Sequence, residues 1–309
     1  MRKRYFNPTD DGFYGVFHPH RTNTKCVAIM MMGDSAEDYM AKTWAQWLHR
    51  HGMAVLAMAA SRKDVGHHNY PIESFGRALS FLKDRGFTKF AIFGGATTAM
   101  LALVAASYYP EFTLTVAFAP TDFILEGYYR DDKDGAKERP GNGESTVTVN
   151  GKALPYLPYA YRHPEYWQNL EREAKETGNK MASRIMIDKS EQRYPVTEKE
   201  KIKVENIQGK VILIGAEDDC MWDTSKYIRR MYDRYLELNG PGECLAYIYQ
   251  HGTHYIYPES LMKMLFPVGD NYVIGKVFKE ARDHTDACMD TRIDLDMKLK
   301  KILYDWTNE

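Results

Sequence analysis

An α/β fold with a mostly parallel central sheet and helices on both faces follows from two features of this 309-residue chain. Continuous apolar runs of strand length alternate with longer amphipathic stretches, the pattern of parallel strands buried on both faces by crossover helices. Three of those runs end at residues able to do chemistry: the small residues around Ala96, the acids Asp218 and Asp219, and His251 with His254. Composition agrees, with 44% apolar and 27% charged residues, ordinary for a globular protein. A formal net charge of -1 offers nothing to recruit nucleic acid or an anionic membrane. We expect one domain over 1–309, with an insertion at 121–208.

The elements follow in order. A hairpin-like start around residues 12–17 leads to a continuous apolar strand over 25–32, which Gly33-Asp34-Ser35 breaks. An amphipathic helix is expected over 36–50, with Asp34 or Ser35 as its cap. After the strand 55–58 comes a polar loop holding His67-His68. Adjacent histidines point in different directions in any regular element, so these read as rim residues rather than a metal pair. A helix over 72–85 feeds the elbow strand, which opens the run 89–100, and the helix 97–108 is apolar nearly all round, as a centrally buried helix is. The strand 114–120 follows.

From 121 to 208 the pattern changes to Tyr, Pro, Gly and charge, with a hairpin signal at Asn150-Gly151. Tyr128, Tyr129, Tyr156, Tyr159, Tyr161, Tyr166 and Trp167 make it aromatic, suited to sealing a cap onto its base or lining a pocket for a large apolar group. Asp131-Asp132-Lys133-Asp134-Gly135 lacks the alternation and distal Glu of an EF-hand and reads as a solvated loop. The strands 211–214 and 245–249 complete the sheet.

Gly94-Gly95-Ala96-Thr97-Thr98 stands where a strand bends sharply into a helix. That is the nucleophile elbow, in which G-x-Ser-x-G lifts a reactive side chain onto the turn and helix-start N–H groups face the developing oxyanion. Gly94 fits, but Ala96 has neither hydroxyl nor thiol. A frame shifted by one would make Thr97 the nucleophile, a hindered choice without an N-terminal amine as base. The order elbow, acid, histidine is that of the α/β-hydrolases, where the His takes the nucleophile's proton and the acid orients the His. An acid or a His at one strand end is commonly a cap or loop residue. Three such endings in this order carry the reading.

The residues also resemble a known family, the acyl-CoA thioesterases and bile acid-CoA:amino acid N-acyltransferases, in their C-terminal α/β-hydrolase domain. The resemblance spans about Gly15 to Trp306 and rests on His51-Gly52-Met53-Ala54-Val55, Pro71-Ile72-Glu73-Ser74-Phe75, the elbow, Leu154-Pro155-Tyr156, Val204-Glu205-Asn206-Ile207, Asp218-Asp219-Cys220-Met221-Trp222 and Gly252-Thr253-His254-Tyr255-Ile256. It implies a Ser or Cys nucleophile at the position of Ala96, His254 as the base and Asp219 as the acid, with Asp218 the alternative. The backbone N–H groups of Thr97 and Asp34 are the candidate oxyanion donors. Ser35, His68, Tyr128, Tyr129 and Trp167 are the candidate pocket residues. The chain departs from the family at Ala96, at Thr98 in place of the elbow's second Gly, and at Gly33-Asp34-Ser35-Ala36 in place of a more glycine-rich loop. No run before residue 25 reads as the mammalian members' N-terminal β-sandwich.

The expected chemistry is acyl transfer on a small-molecule acyl ester or acyl-CoA thioester through a covalent acyl-enzyme, resolved by water or by an amine. Ala96 then marks an inactive form of an active parent. The alternative is a protein that holds an acyl ligand without catalysis. No cofactor or metal is called for, and a homo-oligomer is left open. Four cysteines without C-x-x-C pairing read as reduced thiols. The basic N-terminus lacks an apolar core and no run approaches about 18 apolar residues, so a cytoplasmic protein is expected.

Overall fold

The computed structural model describes residues 2–22, 24–60, 67–129 and 139–309, with the side chains of Tyr129, Arg139 and Asn142 outside the description. The main sheet has eight strands: β1 (Arg4–Phe6), β2 (Tyr14–His18), β3 (Cys26–Met31), β4 (Ala54–Ala59), β5 (Lys89–Gly95), β6 (Phe112–Phe118), β7 (Lys210–Ala216) and β8 (Glu243–Tyr249). Their order is β1-β2-β4-β3-β5-β6-β7-β8. β1 and β2 pair antiparallel with their neighbours, and the six strands from β4 to β8 run parallel. The mostly parallel sheet read from the sequence is therefore present.

Both faces of that sheet are buried, and the two-residue period of a strand divides each apolar run between them. Val27, Ile29, Leu56, Ile92 and Leu213 join one core with helices α2 (Glu73–Lys83), α3 (Thr97–Tyr108) and α6 (Thr224–Glu237). Ala28, Met30, Val55, Phe93 and Ile214 join the other, with α1 (Tyr39–Arg50), α7 (Glu259–Leu265) and α8 (Thr285–Asn308). The helix α3 is buried from Thr97 to Ala106, which is why its sequence shows no polar face.

The helix α1 begins at Tyr39, three residues later than its apolar pattern suggests. Neither Asp34 nor Ser35 caps it. Asp38 does, its Oδ1 accepting the Ala41 N–H at 2.7 Å.

Within 121–208, strand Glu126–Tyr129 pairs with Arg139–Ser145, and the hairpin Val147–Val149 with Lys152–Ala153 docks on Tyr70–Pro71. Two helices follow, α4 (Glu165–Thr177) and α5 (Arg184–Arg193). Buried Glu173 on α4 accepts the Ile185 and Met186 N–H groups that open α5, at 2.7 and 3.2 Å, fixing one helix on the other. Buried Glu126 accepts the Tyr159 N–H at 2.6 Å and pairs with Arg162. The 131–135 loop lies outside the described residues. Among the described residues no helix is long and apolar enough to cross a membrane.

Candidate active site

The bend from β5 into α3 is held by backbone packing. Ala96 has φ 56° and ψ -127°, a region that costs a residue with a Cβ about 1–3 kcal/mol. Its N–H donates to Phe118 O at 2.8 Å. Gly94 is required because a Cβ there would lie 2.1 Å from Thr98 O. Thr98 is tolerated where a second glycine was expected because its hydroxyl has its own partners. It accepts the Gly95 N–H at 3.0 Å and can donate to Met31 O at 2.6 Å or Gly95 O at 2.8 Å. The left-handed φ falls on Ala96, and Thr97 is the first residue of the helix.

The strands β7 and β8 bring the acid behind the histidine, and the histidine lines the cavity. His254 is 5% exposed and Asp219 1%, and His254 Nδ1 lies 2.8 Å from Asp219 Oδ2 and 3.1 Å from Oδ1. Asp219 also accepts the Met221 N–H at 2.9 Å and the Thr224 hydroxyl. A carboxylate held by such donors only accepts, so the Nδ1 facing it carries the proton and Nε2 is left as the basic nitrogen. That Nε2 is buried and has no hydrogen-bond partner among the described residues. The Trp222 ring packs edge-on against His254 with centroids 4.9 Å apart, and its Nε1–H donates to Ala119 O at 3.0 Å.

Asp218 takes a different histidine. Its Oδ2 lies 3.2 Å from His251 Nδ1, while Oδ1 accepts the Gly252 and Thr253 N–H groups at 3.1 and 2.8 Å. Burial raises its pKa above the usual carboxylate range, against those hydrogen bonds. Burial, and then the Asp219 charge, push the thiol pKa of Cys220 beside them far up, which disfavours the thiolate.

The loop after β3 differs from its expected role. The Asp34 N–H donates to Asp38 Oδ2 at 2.6 Å and the Ser35 N–H to the same oxygen at 2.9 Å. Gly33, at φ 112°, is needed because a Cβ would lie 2.6 Å from Asp38 Oδ1. The expected Asp34 donor is thus engaged by the cap of α1. The Thr97 N–H, in the first turn of α3, has no intrahelical acceptor, and Thr97 lines the cavity.

The cavity over Ala96, Thr97 and His254 holds about 600 Å³. Residues 121–208 supply much of its wall, including Tyr128, Tyr159, Tyr166, Trp167, Met186 and Ile187, and Met32 and Met221 come from the base. Two candidate pocket residues do not line it. Ser35 faces its own loop, its Oγ accepting the Glu37 N–H at 3.3 Å, and His68 pairs with Glu144 at 3.0 Å. The neighbouring His67 lines the cavity instead, edge-on to Tyr128 with centroids 5.5 Å apart. The Tyr129 side chain lies outside the described residues.

No curated protein matches the chain. Similar solved structures include an alpha/beta hydrolase enzyme from a Medee basin deep-sea metagenome library, 12% identical with a TM-score of 0.53, covering 100% of this chain and 99% of that one. An esterase of Pyrococcus furiosus is 16% identical with a TM-score of 0.44, covering 89% of this chain and 95% of that one. The esterase domain of a Rhodothermus marinus protein is 13% identical with a TM-score of 0.46, covering 90% and 96%. At these identities the first shows the α/β-hydrolase fold and nothing finer. The family described as BAAT / Acyl-CoA thioester hydrolase C terminal matches residues 70–261, a range that contains Ala96, Asp219 and His254 but not the loop at Asp34. With more than half of its length matched, the chain belongs to the BAAT / Acyl-CoA thioester hydrolase C-terminal family.

Proposed function

We propose that this chain is an acyl-transfer hydrolase of the esterase or thioesterase type, carried with alanine at the nucleophile's position and therefore binding its substrate without cleaving it. The observation that supports this most is the buried His254–Asp219 pair, whose Nε2 lacks a partner among the described residues and belongs to a histidine lining the cavity that Ala96 also lines. A buried acceptor left without a partner costs stability, so its presence here fits a nitrogen kept for a reaction.

In a parent bearing Ser or Cys at 96, His254 Nε2 would accept the nucleophile's proton as its oxygen or sulfur attacks the acyl carbonyl. Asp219 would stabilise the imidazolium without taking its proton, and the Thr97 N–H would donate to the oxyanion. His254 would then return the proton to the departing alcohol or thiol. Attack by water on the acyl-enzyme would make the protein a hydrolase, and attack by an amine an N-acyltransferase. Residues 121–208 act in this reading as a cap whose aromatic and methionine side chains hold the acyl group.

A second reading, acyl-ligand binding without catalysis, is favoured by the Asp34 N–H, which is spent on Asp38. The substitution Ala96→Ser separates the two. An acyl-transfer site should gain at least about 10^3-fold in hydrolysis of a short aryl ester or an acyl-CoA thioester. If the Ala96 and A96S forms stay alike at background on both substrates, the hydrolase reading fails and the binding reading stands.

A further inference from the structure

The last helix, α8, leaves a stripe uncovered by the other described residues. Ile293, Met297 and Tyr304 are 41%, 61% and 69% exposed. With Asp286, Asp290, Lys300 and Lys301, which are also exposed, they recur at spacings of three and four and fall within one arc of roughly 100°. The opposite side of α8, through Cys288, Leu295, Leu299 and Leu303, is buried in the core. The stripe has an order: acids in the N-terminal part, apolar groups at the middle, and lysines toward the C-terminal end, where Lys300 also pairs with Asp296 at 2.6 Å and Lys301 with Asp305 at 2.7 Å within the helix.

That order is complementary to itself when reversed. Two α8 helices laid antiparallel about a two-fold axis near Leu295 would set Ile293 of each against Met297 of the other. The same operation would set Asp290 of each against Lys300 and Lys301 of the other. A two-fold interface requires this, since one patch must fit its own copy.

The neighbouring surface continues the argument. Tyr249 on β8 donates to Asp294 Oδ2 on α8 at 2.7 Å, and Lys298 lies 4.9 Å from the Tyr247 ring, so α8 flanks the border of the sheet. There β8 pairs only with β7 among the described strands, and an open edge is likewise able to pair antiparallel with its own copy. We infer that this chain forms a homodimer through the exposed stripe of α8, Asp290 pairing with Lys300 and Lys301 across the two-fold.

Sedimentation velocity on the full chain tests this against concentration. The expected species has twice the 35.7 kDa chain mass. Met297→Glu and, separately, Asp290→Lys should each weaken the dimer by roughly tenfold or more, and the charge swap D290K/K301D, which keeps Lys300 on the buried Asp296, should restore it. Thermal melts should keep each variant folded, because every altered side chain is exposed. A chain still monomeric at about 0.1 mM, or a dimer indifferent to both Met297→Glu and Asp290→Lys, overturns the inference.

Discussion

Asp218 and Asp219 are consecutive, His251 and His254 are three residues apart, and each acid takes one histidine, yet the two pairs are built for different work. The Asp219–His254 pair is buried and turns an unpartnered nitrogen into a cavity. The Asp218–His251 pair is more exposed. There Asp218 spends one oxygen on the Gly252 and Thr253 N–H groups and so pins the turn that carries His254. His251 itself stacks on His284 with centroids 4.1 Å apart, and neither lines the cavity. Residue type and spacing are shared. What each pair is left facing decides its role.

That contrast is sharpest in the A96S background. Asp219→Asn there should lower kcat/KM by roughly 10^3 to 10^4, because the amide no longer holds the imidazole in the tautomer with Nε2 basic. Asp218→Ala should lower it by less than about tenfold and cost stability instead, roughly 1–3 kcal/mol in denaturant unfolding, for the loop N–H groups it leaves unpaired. Equal kinetic losses from the two substitutions would erase the distinction. A smaller effect is expected at the elbow. Ala96→Gly should stabilise the chain by about 1 kcal/mol, since glycine accepts φ 56° without the Cβ penalty. A destabilised glycine variant would mean that the bend carries no strain.

The same comparison explains what the sequence could disclose. The buried parallel strands and the apolar helix α3 were legible because burial on every side leaves only apolar residues to write with. That Asp219 rather than Asp218 meets His254 is named through the family resemblance and not from local geometry, since adjacent residues on a turn leave the chain in directions set by the loop. The same limit holds for His67 and His68, where the sequence reading favoured the one that pairs with Glu144. The engagement of the Asp34 N–H was missed for another reason. Whether a backbone N–H is available depended on a side chain four residues on, Asp38, which the position just before α1 marks as a cap. The methionines lining the cavity had no signal of their own, because apolar residues of the core and of a pocket look alike in sequence.

The central claim is that His254 stands ready to activate a nucleophile at position 96. Its most direct measurement is covalent labelling of the A96S variant with a fluorophosphonate probe, read by intact mass and peptide mapping. One adduct per chain, located at position 96, absent from the Ala96 form and suppressed in A96S/H254A, is the predicted result. An A96S chain that stays unlabelled while folded, or one labelled equally without His254, would contradict it.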